Sequence, residues 1–292
     1  VDRASGAQVI DGSLNFFQES NPYLEFTPGS AGNRRTWTWS GWVKRSVLST
    51  GQNIFGSNNL WIELQFKLST DQLQIYWETS GTGSNYFISN AVYRDPSAFL
   101  HIVLKVDTTQ STTADRVQVY VNGTIITWSS ASYPSQDYET GVNSANPHGI
   151  GIRVSGTALA FDGQLSNAYL IDGQALGPES FGFTDPLTNT WRPKKYSGTF
   201  GTNGFYLPMD GNSPIGEDKS GKGNDYTPVN FGGSNSLEKA TGARPILNTT
   251  QGGTQATVGV FGSKENKYYT VTTANGSCLL YTSPSPRDSV GS

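Results

Sequence analysis

Residues 117–123, Val-Gln-Val-Tyr-Val-Asn-Gly, place valine at every second position and then close on Asn-Gly. Such alternation buries one side of a β-strand and leaves the other side polar. Asn122 and Gly123 both tolerate positive φ, which a tight hairpin turn demands. Residues 124–128 are therefore expected to return as the partner strand.

The same texture recurs along the chain. Trp37, Trp39 and Val43 alternate within residues 36–43, and Trp37, Trp39 and Trp42 are expected in the core. Residues 60–68 and 72–78 read as a hairpin joined by Ser69-Thr70-Asp71, and the continuous apolar run 99–106 reads as a central strand. Residues 149–154 and 163–171 complete the set, and Gly177–Phe181 reads as one helical turn. No long segment carries the helical period. About ten or more short strands with turns at this spacing describe an all-β fold, a two-sheet antiparallel sandwich.

Composition agrees. Charged residues are only 15% of the chain and aromatics 12%, with 34 glycines. The charged Leu/Ala/Glu/Lys stripes of a helical bundle are missing. A net charge of −3 gives no footprint for nucleic acid. No apolar run reaches the roughly 18 residues that a membrane-spanning helix needs.

The texture changes after Asp185. A soft boundary near residue 190 separates the sandwich (1–190) from 191–277, which is either a C-terminal extension that finishes the first unit or a truncated second module. The chain starts at Val1 with no charged-then-apolar leader, so its start is expected to be internal to a longer gene or processed. Residues 278–292 open with Cys-Leu-Leu-Tyr-Thr-Ser-Pro-Ser-Pro-Arg-Asp, which reads as a translated sequencing adapter rather than native sequence. The single cysteine, Cys278, falls inside it and carries no redox information.

Gly12-Ser-Leu-Asn-Phe16 with Tyr23-Leu24, then Trp39-Ser-Gly-Trp-Val-Lys44, resemble the opening strands of laminin G-like domains of the concanavalin A-like lectin/glucanase superfamily. Residues 100–107 followed by 117–123, ending in Tyr-Val-Asn-Gly, are similar to that family's strand–turn–strand pattern. Residues 161–165 through Ile171-Asp-Gly-Gln-Ala-Leu176 resemble its closing strand and turn. The run 31–45 is particularly like versions carried by marine phage and environmental virus genes. Gly204-Phe-Tyr-Leu and 218–225 are similar to the segment that follows the domain there, or to the opening of a second one. The resemblance spans about residues 10–231. It implies a jelly roll of two curved sheets used to bind glycans or protein surfaces, in an extracellular or virion-surface setting.

Glucanases share this fold, and retaining hydrolysis needs two carboxyls about 5–5.5 Å apart. The family's hydrolases carry a Glu-x-Asp-x-(x)-Glu strand, and no such spacing exists here. Glu63 and Glu78 fall on neighbouring strands, where two solvent-facing positions are the plainer reading. His101 reads as a hydrogen-bonded core or edge histidine, and His148 has no partner motif.

Calcium is a candidate cofactor. Asp210, Asn212, Asp218, Asn224 and Asp225 gather hard oxygen donors in glycine-rich turns, the donor type that Ca²⁺ prefers. The same residues also make turns by bonding nearby backbone amides. Where related sequences show an acidic pair in the closing strand, this chain has Ser166-Asn167.

Exposed aromatics stack on sugar rings. Trp61, Tyr76, Trp77, Tyr86, Tyr93, Trp128 and Tyr133 lie near hairpin or loop ends, where ligand sites concentrate. Trp61, Trp77, Tyr86, Tyr93, Trp128 and Tyr133 are the carbohydrate-binding candidates, against the alternative that they simply pack. The function expected is a non-catalytic, lectin-like module whose partner is a glycan or a surface protein, carried by a virion or cell-surface protein. A fibre or decoration domain that binds only protein, and a divergent glycoside hydrolase, are the alternatives. No oligomeric state follows from the sequence.

Overall fold

The computed structural model describes residues 7–10, 12–58, 60, 62–78, 84–153, 159–210 and 214–231, and the backbone of 268–273 and 276–281. The strands are β1 (Leu14–Phe16), β2 (Tyr23–Phe26), β3 (Thr36–Arg45), β4 (Gln52–Ser57), β5 (Ile62–Phe66), β6 (Gln72–Glu78), β7 (Ser84–Val92) and β8 (Leu100–Asp107). They continue as β9 (Val117–Val121), β10 (Thr124–Ile125), β11 (Trp128–Ala131), β12 (His148–Ile150), β13 (Gly163–Asp172), β14 (Gly182–Thr184), β15 (Trp191–Pro193), β16 (Phe205–Leu207) and β17 (Thr227–Val229). A separate hairpin pairs β18 (Tyr268–Thr273) with β19 (Gly276–Tyr281). Among the described residues, helix is confined to single 3₁₀ turns, one of them the expected Pro178–Ser180. None is long and apolar enough to cross a membrane.

Two antiparallel sheets form the sandwich. The first runs β1-β13-β3-β8-β9-β10, with β16 also on β13, and the second runs β11-β7-β6-β5-β4-β12-β2-β17. Side chains alternate faces along each strand, so one parity fills the space between the sheets. From β3 these are Trp37, Trp39 and Val43, and they meet Phe55, Phe66 and Phe87 of the second sheet in one buried cluster. Trp39 stacks on Phe55, with ring centroids 5.7 Å apart. As its apolar run implies, β8 is central, paired to β3 on one side and β9 on the other.

Two expectations need correction. Trp42 has the opposite parity to Trp37 and Trp39, so it lies on the outer face of the first sheet, stacked on His101 at 4.9 Å. The return strand after Asn122-Gly123 is also shorter than 124–128. Ile126 N–H still bonds Val119 O, but Thr127 O accepts from Asn90 N–H of the second sheet. From there β11 pairs with β7, so the chain changes sheets within one residue.

Part of the outer face of the first sheet is covered. Val103, Tyr169, Ile171 and Tyr206 form a second buried cluster with Phe181, packed by Leu176, Tyr196 and Phe200. Tyr169 and Tyr206 stack face to face at 4.4 Å. Residues beyond 190 therefore contribute β16 to the first sheet, β17 to the second and part of this outer layer.

Candidate functional site

With part of the first sheet's outer face packed over, the outer face of the second sheet offers a further place for a site. Ile62, Leu64 and Phe66 of β5 point into the core, so Glu63 and Gln65 point away from it. The ladder registers then place one unbroken row across six strands: Glu25, Gly149, Gly56, Glu63, Tyr76 and Tyr86. A second row pairs Asn53 with Gln65 and Gln65 with Gln74. This polar floor is almost wholly buried. Asn53 is 1% exposed, Glu63 2%, and Gln65 and Gln74 6% each.

Arg153, in the loop after β12, reaches onto this floor. Its Nε and Nη2 donate to the two carboxylate oxygens of Glu63 at 2.6 and 2.5 Å, and its guanidinium lies 5.5 Å from the Tyr76 ring centre. Burial pushes the Glu63 carboxyl above its usual range, and the bonds and charge of Arg153 offset only part of that. Gly56 is needed here, because a Cβ would press on Ile62 O and the Glu63 side chain. Tyr86, 37% exposed, offers the open aromatic surface at the end of the row, 5.4 Å from Tyr76.

The solvent-facing reading of Glu63 is thus corrected. It is a buried, ion-paired carboxylate, and Glu78 lies on the same face two positions beyond Tyr76.

The aromatic candidates separate by parity. Tyr86 stands on the polar row. Trp77, its neighbour Tyr76's opposite in parity, points inward; it is buried, bonds Ser132 O and meets Tyr138 edge-on. Trp128 and Tyr133 both pack against Phe87, and Tyr93 packs against Phe66. Trp61 lies outside the described residues. The structure therefore does not bring the six into one surface. Asn53, Gln65, Gln74 and Arg153 were missed, although Glu63/Gln65 and Gln74/Tyr76 repeat at alternate positions of adjacent strands, which marks an outer face.

The acidic turn candidates organise a loop. Asp218 accepts from the N–H groups of Tyr206, Ser220 and Asn224 and from the Ser220 hydroxyl at 2.7–3.0 Å. Asp225 accepts from Asp218 N–H, and Asn224 Nδ2 donates to Thr202 O and Gly204 O. Asp210 sits beyond β16, and Asn212 lies outside the described residues. Among the described residues no three His, Cys, Asp or Glu side chains gather as metal ligands. The Asp218 oxygens are engaged by these donors, and the fit to a Ca²⁺ shell is poor.

Both histidines are buried scaffolding. Trp191 Nε1–H can only donate, so His101 Nδ1 accepts at 2.9 Å and the ring proton sits on Nε2, facing Ser40 Oγ at 2.9 Å. His148 Nδ1–H donates to Asn146 O, and its Nε2 accepts from Asn143 N–H. Burial pushes His101 down to about 3 and His148 to about 4, the latter against a backbone bond that raises it.

The architecture is that of a jelly-roll sandwich whose second sheet carries a buried polar row on its outer side. The sequence profile of the concanavalin A-like lectin/glucanases superfamily matches residues 18–180, and the chain belongs to that superfamily. No curated protein matches the chain. Similar solved structures include the heptameric SAP-like pentraxin from Limulus polyphemus, at 18% identity over 58% of this chain and 80% of that one, with a TM-score of 0.41. Mouse laminin α1 domains LG4-5 share 13% identity over 68% of this chain and 48% of that one, TM-score 0.41. The CBM40 of the Ruminococcus gnavus IT-sialidase, bound to α2,3 sialyllactose, shares 15% over 54% and 94%, TM-score 0.37.

Proposed function

We propose that this chain is a non-catalytic glycan-binding module whose ligand lies on the outer face of the second sheet, against Tyr86. One observation carries the reading: the outward-facing row of the second sheet ends in an exposed tyrosine, Tyr86, beside Tyr76. An exposed tyrosine ring at the end of a polar row suits a ligand with both hydroxyls and an apolar ring face. Membership of a superfamily of lectins and glucanases supports it. The non-catalytic part is supported by Glu63, whose two oxygens are both held by Arg153 rather than free to attack or protonate. The reading extends to a surface setting, on a virion or cell exterior, supported by the resemblance of residues 31–45 to phage-borne sequences.

A glycan array with and without Ca²⁺ tests it. Retention of at least one glycan by the unaltered chain, weakened in Tyr86→Ala, is the expected result. No retained glycan in either condition overturns it.

A further inference from the structure

We infer that the chain carries a second glycan surface, on the outer face of the first sheet, where Trp42, Lys44 and Gln164 take a sugar bearing a carboxylate. It lies on the opposite sheet from Tyr86 and stands apart from the reading built on that residue.

Val43 and Leu165 point into the core, so their chain neighbours Trp42, Lys44 and Gln164 point outward. Lys44 pairs with Gln164 across β3 and β13, and Trp42 stands two positions along β3 on the same face. The three are thus separated by about 7 Å along the strand and about 4.8 Å across it, inside the reach of one sugar unit. The outer layer stops short of them. Trp42 belongs to neither buried cluster, and all three residues are part-exposed. The indole is also held in place: it stacks on His101, which stacks in turn on Trp191 at 5.9 Å and accepts the Trp191 N–H. An aromatic ring fixed beforehand suits the apolar face of a sugar at little ordering cost.

Charge chooses the sugar. Lys44 has no salt bridge among the described residues, and its ammonium lies 5.8 Å from the Phe99 ring centre. Bonds from Ser97 hold the Asp95 carboxyl below its usual range, and Lys44 adds a smaller pull from beyond salt-bridge distance. The Gln164 amide likewise has no hydrogen-bond partner among the described residues. An ammonium and an amide on paired residues present donors side by side, which matches the two oxygens of a carboxylate.

The test is titration calorimetry of the full chain with trigalacturonate, sialyllactose and the methyl ester of each. For the acid that binds, Lys44→Gln and esterification should each weaken affinity about tenfold, and esterification should cost nothing further on Lys44→Gln. Raising the salt should weaken the acid and spare its ester. Trp42→Leu should weaken both, and Tyr86→Ala neither. If Trp42→Leu fails to fold, Lys44→Gln and the esters decide. An acid indifferent to Lys44→Gln or to esterification overturns the inference, as does one lost in Tyr86→Ala but kept in Trp42→Leu. Neutral glycans bound without either acid overturn it and leave the Tyr86 reading intact. No glycan bound at all, on the array or here, removes both.

Discussion

Arg153 grips Glu63 through two parallel bonds although 90 residues separate them in the chain. Truncating Arg153 leaves a carboxylate buried without its counter-charge. Arg153→Ala should therefore cost about 3 kcal/mol at neutral pH, read from urea unfolding. The added substitution Glu63→Gln should recover much of that loss. The penalty should also fade with acid. Glu63 already has a raised folded pKa, so protonation favours the native state, and this stabilisation is fully present below the unfolded carboxyl pKa and lost as pH rises. An Arg153→Ala penalty that is unchanged between pH 7 and pH 4 would remove the ion pair as its cause.

The two histidines set a second pH dependence of opposite sign. Their folded pKa values are depressed to about 3 and about 4 from 6.5. The unfolded chain binds protons that the native one refuses as pH falls through 6.5, so stability should drop from there toward pH 4. Each histidine contributes roughly 1.4 kcal/mol per pH unit within that window. Geometry gives the reason: protonating His101 would aim a second N–H at the Trp191 N–H, and protonating His148 would aim one at Asn143 N–H. Unfolding midpoints measured from pH 7 to 4.5 test this, and His101→Gln should flatten part of the slope.

Tyr86 and Trp77 make a paired test of the face assignment. Tyr86→Ala should weaken glycan binding about tenfold, worth about 1.4 kcal/mol, with little change in melting temperature. Trp77→Ala should instead cost about 3–5 kcal/mol of stability, since it empties a core position. A Trp77→Ala protein that melts like the unaltered chain would contradict its inward placement.

Much of this fold was legible beforehand. Regular alternation, as in Val117, Val119 and Val121, reports a strand with one dry side, and the hairpin of 60–68 with 72–78 through Ser69–Asp71 followed from its polar turn. What failed turned on parity. Trp42 and Trp77 are each one residue from a neighbour on the opposite face, and composition does not choose between the two faces of a strand buried on both. β4, Gln-Asn-Ile-Phe-Gly-Ser, shows no alternation because its residues are all buried and its ladder slips between Asn53 and Phe55. The candidate site was harder still. A glutamine in a strand reads as solvent-facing until the fold shows that it is recessed, and Arg153 reaches Glu63 only through tertiary contact.

The outer layer on the first sheet gives a fourth prediction. A chain ended after Thr190 lacks Trp191, Tyr196, Phe200 and Tyr206, and leaves Tyr169 and Ile171 with only part of their cover. It should melt lower than a chain ended after Phe231, by several degrees at least, since each kcal/mol lost moves the midpoint about 2–4 °C at this size. Dye binding to newly exposed apolar surface would accompany the loss. Equal melting curves would show that the layer is dispensable.

The second sheet seats β2 between β12 and β17, so Tyr23 waits for a neighbour at Val229. The first sheet likewise joins Leu14 to Leu165. On a ribosome, the earliest strands made are therefore among the last to be enclosed, and Trp37 and Trp39 leave the exit tunnel long before their cover is synthesised. Contacts this distant slow folding and lengthen the time for which apolar strands are open to wrong partners. Excising residues 18–180 as a stand-alone domain would keep the matched profile and discard β1, β16 and β17, edge and closing strands of both sheets.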